Sequence, residues 1–182
     1  MRTKLCFSAA ALLLVGCAST PKINYFTLAM ESSGKAQPTV NLQVERLRTT
    51  EALGRSQILI SKSPTEIEYY ASDHWAGSVA ELVQQKLSVE FGPPVEGKRK
   101  LSISGIVFAF GQVDVAGGAE GRVKLHIEVR DPEKRRFEKP LLEKTYEVSR
   151  AASKSGSAAV VVALSQGVEQ IAAEIAADAS SL

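Results

Sequence analysis

Two cysteines are the residues of this chain whose chemistry decides most about its function. The 182-residue sequence contains only Cys6 and Cys17, both near the N-terminus. Cys17 lies in the stretch LCFSAAALLLVGCAST. Four roles are open to it: a buried thiol, a disulfide partner of Cys6, a nucleophile, or a point of covalent attachment.

Residues 1–16 have the composition of a secretory signal. Arg2 and Lys4 form a short positive region, and residues 5–15 are almost purely apolar. This apolar stretch is too short for a membrane-spanning helix, which needs about 20 residues. A basic start, a short apolar stretch and small residues are typical of a cleaved signal. We therefore predict that residues 1–16 are removed.

The end of the signal is more specific, because Leu14-Val15-Gly16-Cys17 resembles the lipobox of bacterial lipoproteins. The alternative is a general secretory signal with a chance cysteine. The resemblance implies cleavage between Gly16 and Cys17, a diacylglycerol on the Cys17 sulfur and a fatty acyl chain such as palmitate on its amine. Two acyl chains attach a protein stably to a membrane. Ala18 follows the cysteine where Asp would favour the inner membrane, so we expect the outer membrane, facing the periplasm.

Cleavage would change the mature protein in two ways. Cys6 leaves with the signal, so the mature chain has neither a free thiol nor an internal disulfide. Arg2 and Lys4 also leave, which reduces 22 basic residues to 20, against 20 acidic residues. A near-neutral domain is not typical of nucleic-acid binding, which shows a basic excess. Residues 17–22 form a tether of about 17 Å, which holds domain 23–182 close to the membrane.

Few other residues have the spacing that catalysis or metal binding requires. His74 and His126 stand apart from any His/Cys cluster, whereas metal sites usually use three or four ligands. Gly111 and residues 117–121 fit neither dinucleotide nor P-loop spacing, and they are interpreted as a flexible hairpin loop. A G-x-S-x-G motif is absent. We therefore expect no enzyme, no metal and no cofactor.

Apolar periodicity predicts the first half of the domain. Alternation predicts four strands: residues 23–28, 40–47, 57–61 and 66–70. Residues 62–65 are expected to turn the last two strands into a hairpin, and the polar residues 31–38 to form a loop. Asp73 is predicted to cap a helix that starts near His74 and ends at Phe91-Gly92-Pro93-Pro94. The helix is indicated by apolar residues at three- and four-residue spacing: Trp75, Val79, Leu82, Val83 and Leu87.

The second half is predicted to contain three strands and a helix. The strands cover residues 101–110, 122–130 and 142–150, with a bulge at Gly105 and a turn at residues 131–134. Residues 157–179 are predicted to form a helix packed on a sheet, with a coiled coil as the minority alternative. This order predicts a single α+β domain: an antiparallel or mixed sheet with two main helices on one face.

Two groups of residues permit both a structural and a functional interpretation. Tyr69, Tyr70 and Trp75 either pin the first helix to the sheet or, if exposed, form a partner-binding surface, since Tyr and Trp are enriched at interfaces. The basic runs Lys98-Arg99-Lys100 and Lys134-Arg135-Arg136 are either solvated loop charge or contacts with anionic lipid headgroups.

With these elements placed, the chain resembles the PqiC-like auxiliary lipoproteins of MCE-type ABC transport systems. Three stretches carry the resemblance: INYFTL after the lipobox, EIEYYASDHWAGSVAELVQQKL, and the closing ALSQGVEQIAAEIA. Gly77-Ser78 departs from the acidic residue and proline expected soon after Trp-Ala. The similarity spans nearly all of residues 17–179.

The resemblance implies a non-enzymatic outer-membrane protein that docks a periplasmic MCE-domain protein during (phospho)lipid transport between membranes. It also implies ring-like self-assembly as a homo-oligomer. Two alternatives stay open. One is a lipid-binding carrier whose cavity would be lined by Phe108, Phe110 and Trp75. The other is a lipoprotein of a secretion or envelope-assembly machine.

Overall fold

The structure, a computed structural model, describes residues 22–135, 138–154 and 156–182. The predicted signal, the Gly16/Cys17 cleavage and lipidation site, most of the tether and Arg136 lie outside the described residues. The elements in chain order are β1 (Asn24–Phe26), β2 (Asn41–Val44), β3 (Arg48–Thr49), a 3₁₀ turn (Glu51–Leu53), β4 (Gln57–Ser63), β5 (Glu66–Trp75), α1 (Val79–Phe91), β6 (Lys100–Val115), β7 (Gly118–Arg130), β8 (Leu142–Ala151) and α2 (Ser157–Ser180).

The eight strands form one mixed sheet around the long strand β6. The main order is β1-β5-β4-β6-β7-β8, and β2 and β3 pair with β6 as well. β6 is antiparallel to β7 along its length and parallel to β2, β3 and β4. The predicted α+β domain with a mixed sheet and two main helices is therefore confirmed.

Both helices contribute to one core on one face of the sheet. The apolar residues of β7, from Val123 to Val129, are fully buried at alternate positions, as predicted. The predicted stripe of α2 (Val161, Leu164, Val168, Ile171 and Ile175) is buried too. α2 contacts β6, β7 and β8, while α1 contacts α2, β2, β3 and β6. α2 has the length and hydropathy of a membrane span, but 56% of its apolar window is buried within the domain.

Two glycines allow α2 to lie close to the sheet. A Cβ at Gly121 of β7 would lie 3.0 Å from the backbone nitrogen of Leu164. A Cβ at Gly167 of α2 would lie 3.0 Å from a methyl group of Val123. Both distances are tighter than ordinary van der Waals contact, so larger residues at either position would push the helix away from the sheet.

The first helix begins later than predicted. Ser78, rather than Asp73, is its N-cap, and Ser78 forms a capping box with Glu81. Asp73, His74 and Trp75 belong to β5 because β1 pairs with them in parallel, and Asn24 donates a 2.8 Å hydrogen bond to the Asp73 carboxylate. The predicted end of the helix at Phe91-Gly92 is confirmed.

The hairpin between β6 and β7 also differs in detail from its prediction. The bulge lies between Val107 and Ala109, at Phe108, and Gly105 continues the strand. Gly105 is needed because a Cβ there would collide with the carbonyl oxygen of His126. The glycine run does not form a long loop: Gly111 lies in β6, Gly118 begins β7, and Gly117 turns the chain with a φ of +88°.

A buried ion pair joins the two helices to the loop between β1 and β2. The ammonium of Lys86 in α1 lies 2.7 Å from the Glu90 carboxylate and 3.3 Å from Glu169 of α2, and it donates a 2.8 Å hydrogen bond to the Glu31 carbonyl. Both Lys86 and Glu90 have fully buried side chains. Glu90 also accepts hydrogen bonds from the Ser33 backbone and hydroxyl. Burial opposes ionisation of Glu90, but the bonds from Lys86 and Ser33 outweigh it and hold its pKa below the ordinary value.

The Gly105→Ala variant is expected to lose about 1–3 kcal/mol of unfolding free energy, because β7 must move to admit the methyl group. Gly118→Ala is the matched control, since nothing lies within 4 Å of its added Cβ and its φ is not positive. Urea unfolding measures both. Equal midpoints for the two variants would contradict the close approach of the strands.

The Glu90→Gln variant is expected to lose about 3 kcal/mol at pH 7, because Lys86 then keeps a buried charge with a weaker partner. The folded-state pKa of Glu90 is lowered, so its contribution is present above the ordinary value of 4.5 and is lost as the pH falls through the folded-state value. The stability difference from wild type should therefore shrink below about pH 4.5.

Urea unfolding between pH 3 and pH 7 measures this difference. Glu133→Gln, at an exposed position in a turn, is the control and should match wild type at each pH. A constant difference between Glu90→Gln and wild type across this range would contradict the role of Glu90.

Candidate functional site

The three aromatic residues singled out in the sequence do not form one surface. Trp75 is only 3% exposed, and its ring centroid lies 5.3 Å from that of Phe110 in the core. The core interpretation therefore holds for Trp75, which is the last residue of β5 and not part of the helix. Its ring leaves almost no surface for a partner.

Tyr69 and Tyr70 are half-buried and, as neighbours in a strand, lie on opposite faces of the sheet. The Tyr69 hydroxyl donates a 2.8 Å hydrogen bond to the Ala52 carbonyl, and the Arg55 guanidinium lies 4.7 Å from the Tyr69 ring centre. The Tyr70 hydroxyl donates to the side-chain oxygen of Gln112. Burial first, and then the nearby carboxylates, raise the pKa of Tyr70. Each tyrosine has structural partners, and their role in partner binding stays a prediction.

The aromatic residues proposed to line a lipid cavity lie on different faces of the sheet. Phe110 is buried, but Phe108 is 45% exposed, because the bulge turns it to the opposite face of the sheet. There its ring meets that of His126 at 6.2 Å. Phe108, Phe110 and Trp75 therefore do not line a common cavity.

The structure places a large polar cleft on the face of the sheet opposite the helices, here called the outer cleft. Its volume is about 820 Å³. The floor is the first half of β6 and the second half of β7, and the walls are the β2–β3 connection and the described parts of the β7–β8 connection, within residues 131–135 and 138–141. The lining residues used below are Glu45, Arg46, Arg48, Ser102, Ser104, Ile106, His126, Glu128, Arg130, Asp131, Lys134, Arg135, Glu138, Lys139 and Leu141.

The pairing of β6 with β7 brings the first basic run, residues 98–100, to the same end of the sheet as Lys134 and Arg135 of the second run. Ser102 pairs with Arg130, so residues 98–100 lie beside the start of the β7–β8 loop. The Arg99 guanidinium of the first run lies 3.5 Å from the carboxylate of Asp131, which directly follows β7. Arg46 and Arg48, which the sequence pattern did not single out, add cations from a third segment. Their one local signal is the alternation around the buried Leu47.

The outer cleft lacks the hydrogen bonds of a catalytic serine site. His126 could serve as a base for Ser102 or Ser104, which line the same cleft. However, its Nδ1 lies 3.1 Å from the Thr145 hydroxyl, and its Nε2 lies 3.4 Å from Glu143. Both ring nitrogens thus have partners on β8. Within residues 22–135, 138–154 and 156–182, no group of three His, Cys, Asp or Glu side chains is placed to hold a metal ion.

Comparisons with known proteins agree on a family and a fold. Residues 26–104 match the model of a family described as "ABC-type transport auxiliary lipoprotein component". The crystal structure of protein XCC0632 from Xanthomonas campestris, of family DUF330, aligns with a TM-score of 0.69 and 18% identity over 88% of this chain and 99% of that chain. A crystal structure of an uncharacterized protein gives a TM-score of 0.66 and 16% identity over 87% and 99%.

At these identities the solved structures show the shared fold alone. Among curated proteins, no match to the sequence was found. The family match extends from the last residue of β1 to the start of β6, and it includes β5 and α1, on which much of the predicted resemblance rests. Over residues 26–104 the chain is therefore similar to the ABC-type transport auxiliary lipoproteins, in agreement with the resemblance seen in its sequence.

Proposed function

We propose that this protein is the outer-membrane lipoprotein of an MCE-type ABC transport system. In this role it docks the periplasmic end of the MCE assembly, and (phospho)lipid passes between the two membranes. The match of residues 26–104 to the transport auxiliary lipoproteins is the observation that carries the proposal. ATP would be hydrolysed by another subunit, so the chain itself needs no catalytic site.

The geometry near the N-terminus supports attachment through Cys17. β1 is the edge strand of the sheet, and it begins only two residues after the first described residue, Lys22. Residues 18–22 follow Cys17, and an extended segment of five residues reaches about 17 Å. Acyl chains on Cys17 would hold the β1 edge close to the lipid surface, a position suited to a receiving dock.

The packing of the core gives less support to the carrier alternative. The aromatic residues that would line a hydrocarbon cavity are divided between the core and the outer face. Besides the polar outer cleft, a smaller and more apolar groove lies between residues 27–29 and α2. Its volume is about 360 Å³, and its walls also include Gln166 and Glu169. We therefore prefer the docking role to the lipid-carrier alternative.

Replacing Cys17 by Ser is expected to abolish acylation and to remove the protein from the outer-membrane fraction. The physical reason is that two or three acyl chains supply the stable attachment to the membrane. Intact mass and density-gradient fractionation measure the change. Cys6→Ser is the control, because Cys6 is removed with the signal. Acyl mass retained on the Cys17→Ser protein would contradict the assignment.

Affinity capture from detergent-solubilised membranes tests the docking role. The tagged full chain is expected to recover an MCE-domain protein. Residues 1–22 fused to an unrelated domain are the control, since this fusion has the same anchor without the folded surface. Recovery of no specific protein, or of a secretion or envelope-assembly machine, would contradict the proposal.

A further inference from the structure

We propose that the outer cleft binds the phosphate group of a phospholipid headgroup. This inference rests on the proposed role in lipid transport and adds a binding site on this chain. It concerns the headgroup and not the hydrocarbon, because charged and polar residues form most of the cleft lining.

The lining of the outer cleft has an excess of positive charge after its ion pairs are counted. Among the described residues, five cations of the lining have no carboxylate within ion-pair distance: Arg46, Arg48, Lys134, Arg135 and Lys139. The carboxylate of Glu128 is held by Arg130 at 2.8 Å, and that of Asp131 lies 3.5 Å from Arg99. Glu45 and Glu138 are the two lining carboxylates of the described chain with no cation at that distance. The cleft therefore keeps a surplus of three positive charges.

The hydrogen-bond donors around the outer cleft are of the type that binds phosphate. Three of the five unpaired cations are arginines, whose planar guanidinium groups bind phosphate oxygens through two parallel hydrogen bonds. Ser102 and Ser104 on the β6 floor add hydroxyl donors to the same lining. A phosphate ester has several acceptor oxygens and suits donors that converge from several segments.

The size of the outer cleft also suits a phospholipid headgroup. A volume of about 820 Å³ falls within the range of small-molecule sites and exceeds what a bare phosphate needs, so a glycerol and a headgroup substituent fit as well. Ile106 and Leu141 provide limited apolar contact, which suits the start of the acyl chains but not their full length. A site for an acidic protein surface would instead be expected to have its cations spread over an open face.

Calorimetric titration of the mature full chain in dodecyl maltoside micelles tests the proposal without any partner protein. The probes are inorganic phosphate and dihexanoyl phosphatidylglycerol below its critical micelle concentration. Saturable binding of both probes is expected, with tighter binding of the lipid and weaker binding at high salt. The Arg46→Gln/Arg48→Gln variant should lose at least about tenfold in affinity, because two charge-assisted contacts disappear.

The matched control is Lys22→Gln/Lys154→Gln, which removes the same charge from residues outside the cleft lining and should change affinity by less than about twofold. Equal urea midpoints establish that both double variants are folded. Absence of saturable lipid binding, or equal losses in the two double variants, would overturn the proposal. Binding of phosphate without the lipid would indicate a free-phosphate site and would also overturn it.

Two further probes test whether the cleft recognises a different kind of ligand. Dihexanoylglycerol, which lacks phosphate, should not bind, and its binding with equal affinity would show that hydrocarbon is recognised. Hexaglutamate should bind more weakly than the lipid, and the reverse order would assign the cleft to an acidic protein. Failure of these titrations leaves capture of the MCE-domain protein unaffected, so the binding site and the docking role are tested separately.

Discussion

Burial of one face of the sheet beneath α1 and α2 is the constraint on which the remaining structure depends. The alternate apolar residues of β7 lie against α2, and each fully buried Val, Leu or Ile contributes about 1.5–3 kcal/mol relative to an exposed one. Gly121 and Gly167 permit the close approach that makes this burial complete. The pair of Lys86 and Glu90 then joins α1, α2 and the loop at Ser33, so the helical layer is fixed as one unit.

Because both helices cover the same face, the opposite face of the sheet stays open. This arrangement explains why the outer cleft lies on β6 and β7, the same strands whose other sides form the core. The polar residues of β7 that alternate with its buried ones become the floor of the cleft. The proposed anchor, at the β1 edge, leaves the cleft floor free. One rigid sheet would thus serve attachment, support and recognition through different parts of its surface.

Elements with a strong local period were predictable from the sequence, and features set by distant pairing were not. Strict alternation in β7 and the spacing in α2 each identify a buried face within one segment. The N-cap was misplaced at Asp73 because β1, about fifty residues earlier, extends β5 by pairing with it. The outer cleft was missed because the strand register, which no local pattern records, brings Arg46 and Arg48 to residues 134 and 135.

The proposed docking role requires that the folded domain binds an MCE-domain protein at the outer membrane. Photo-crosslinking in intact cells tests it most directly, with a photoreactive amino acid at Tyr69 or, as a control on the opposite sheet edge, at Glu143 of β8. We predict a crosslink from Tyr69 to an MCE-domain protein that disappears in cells lacking that protein, with a weaker crosslink or none from Glu143. Crosslinks from both positions only to unrelated envelope proteins would contradict the account.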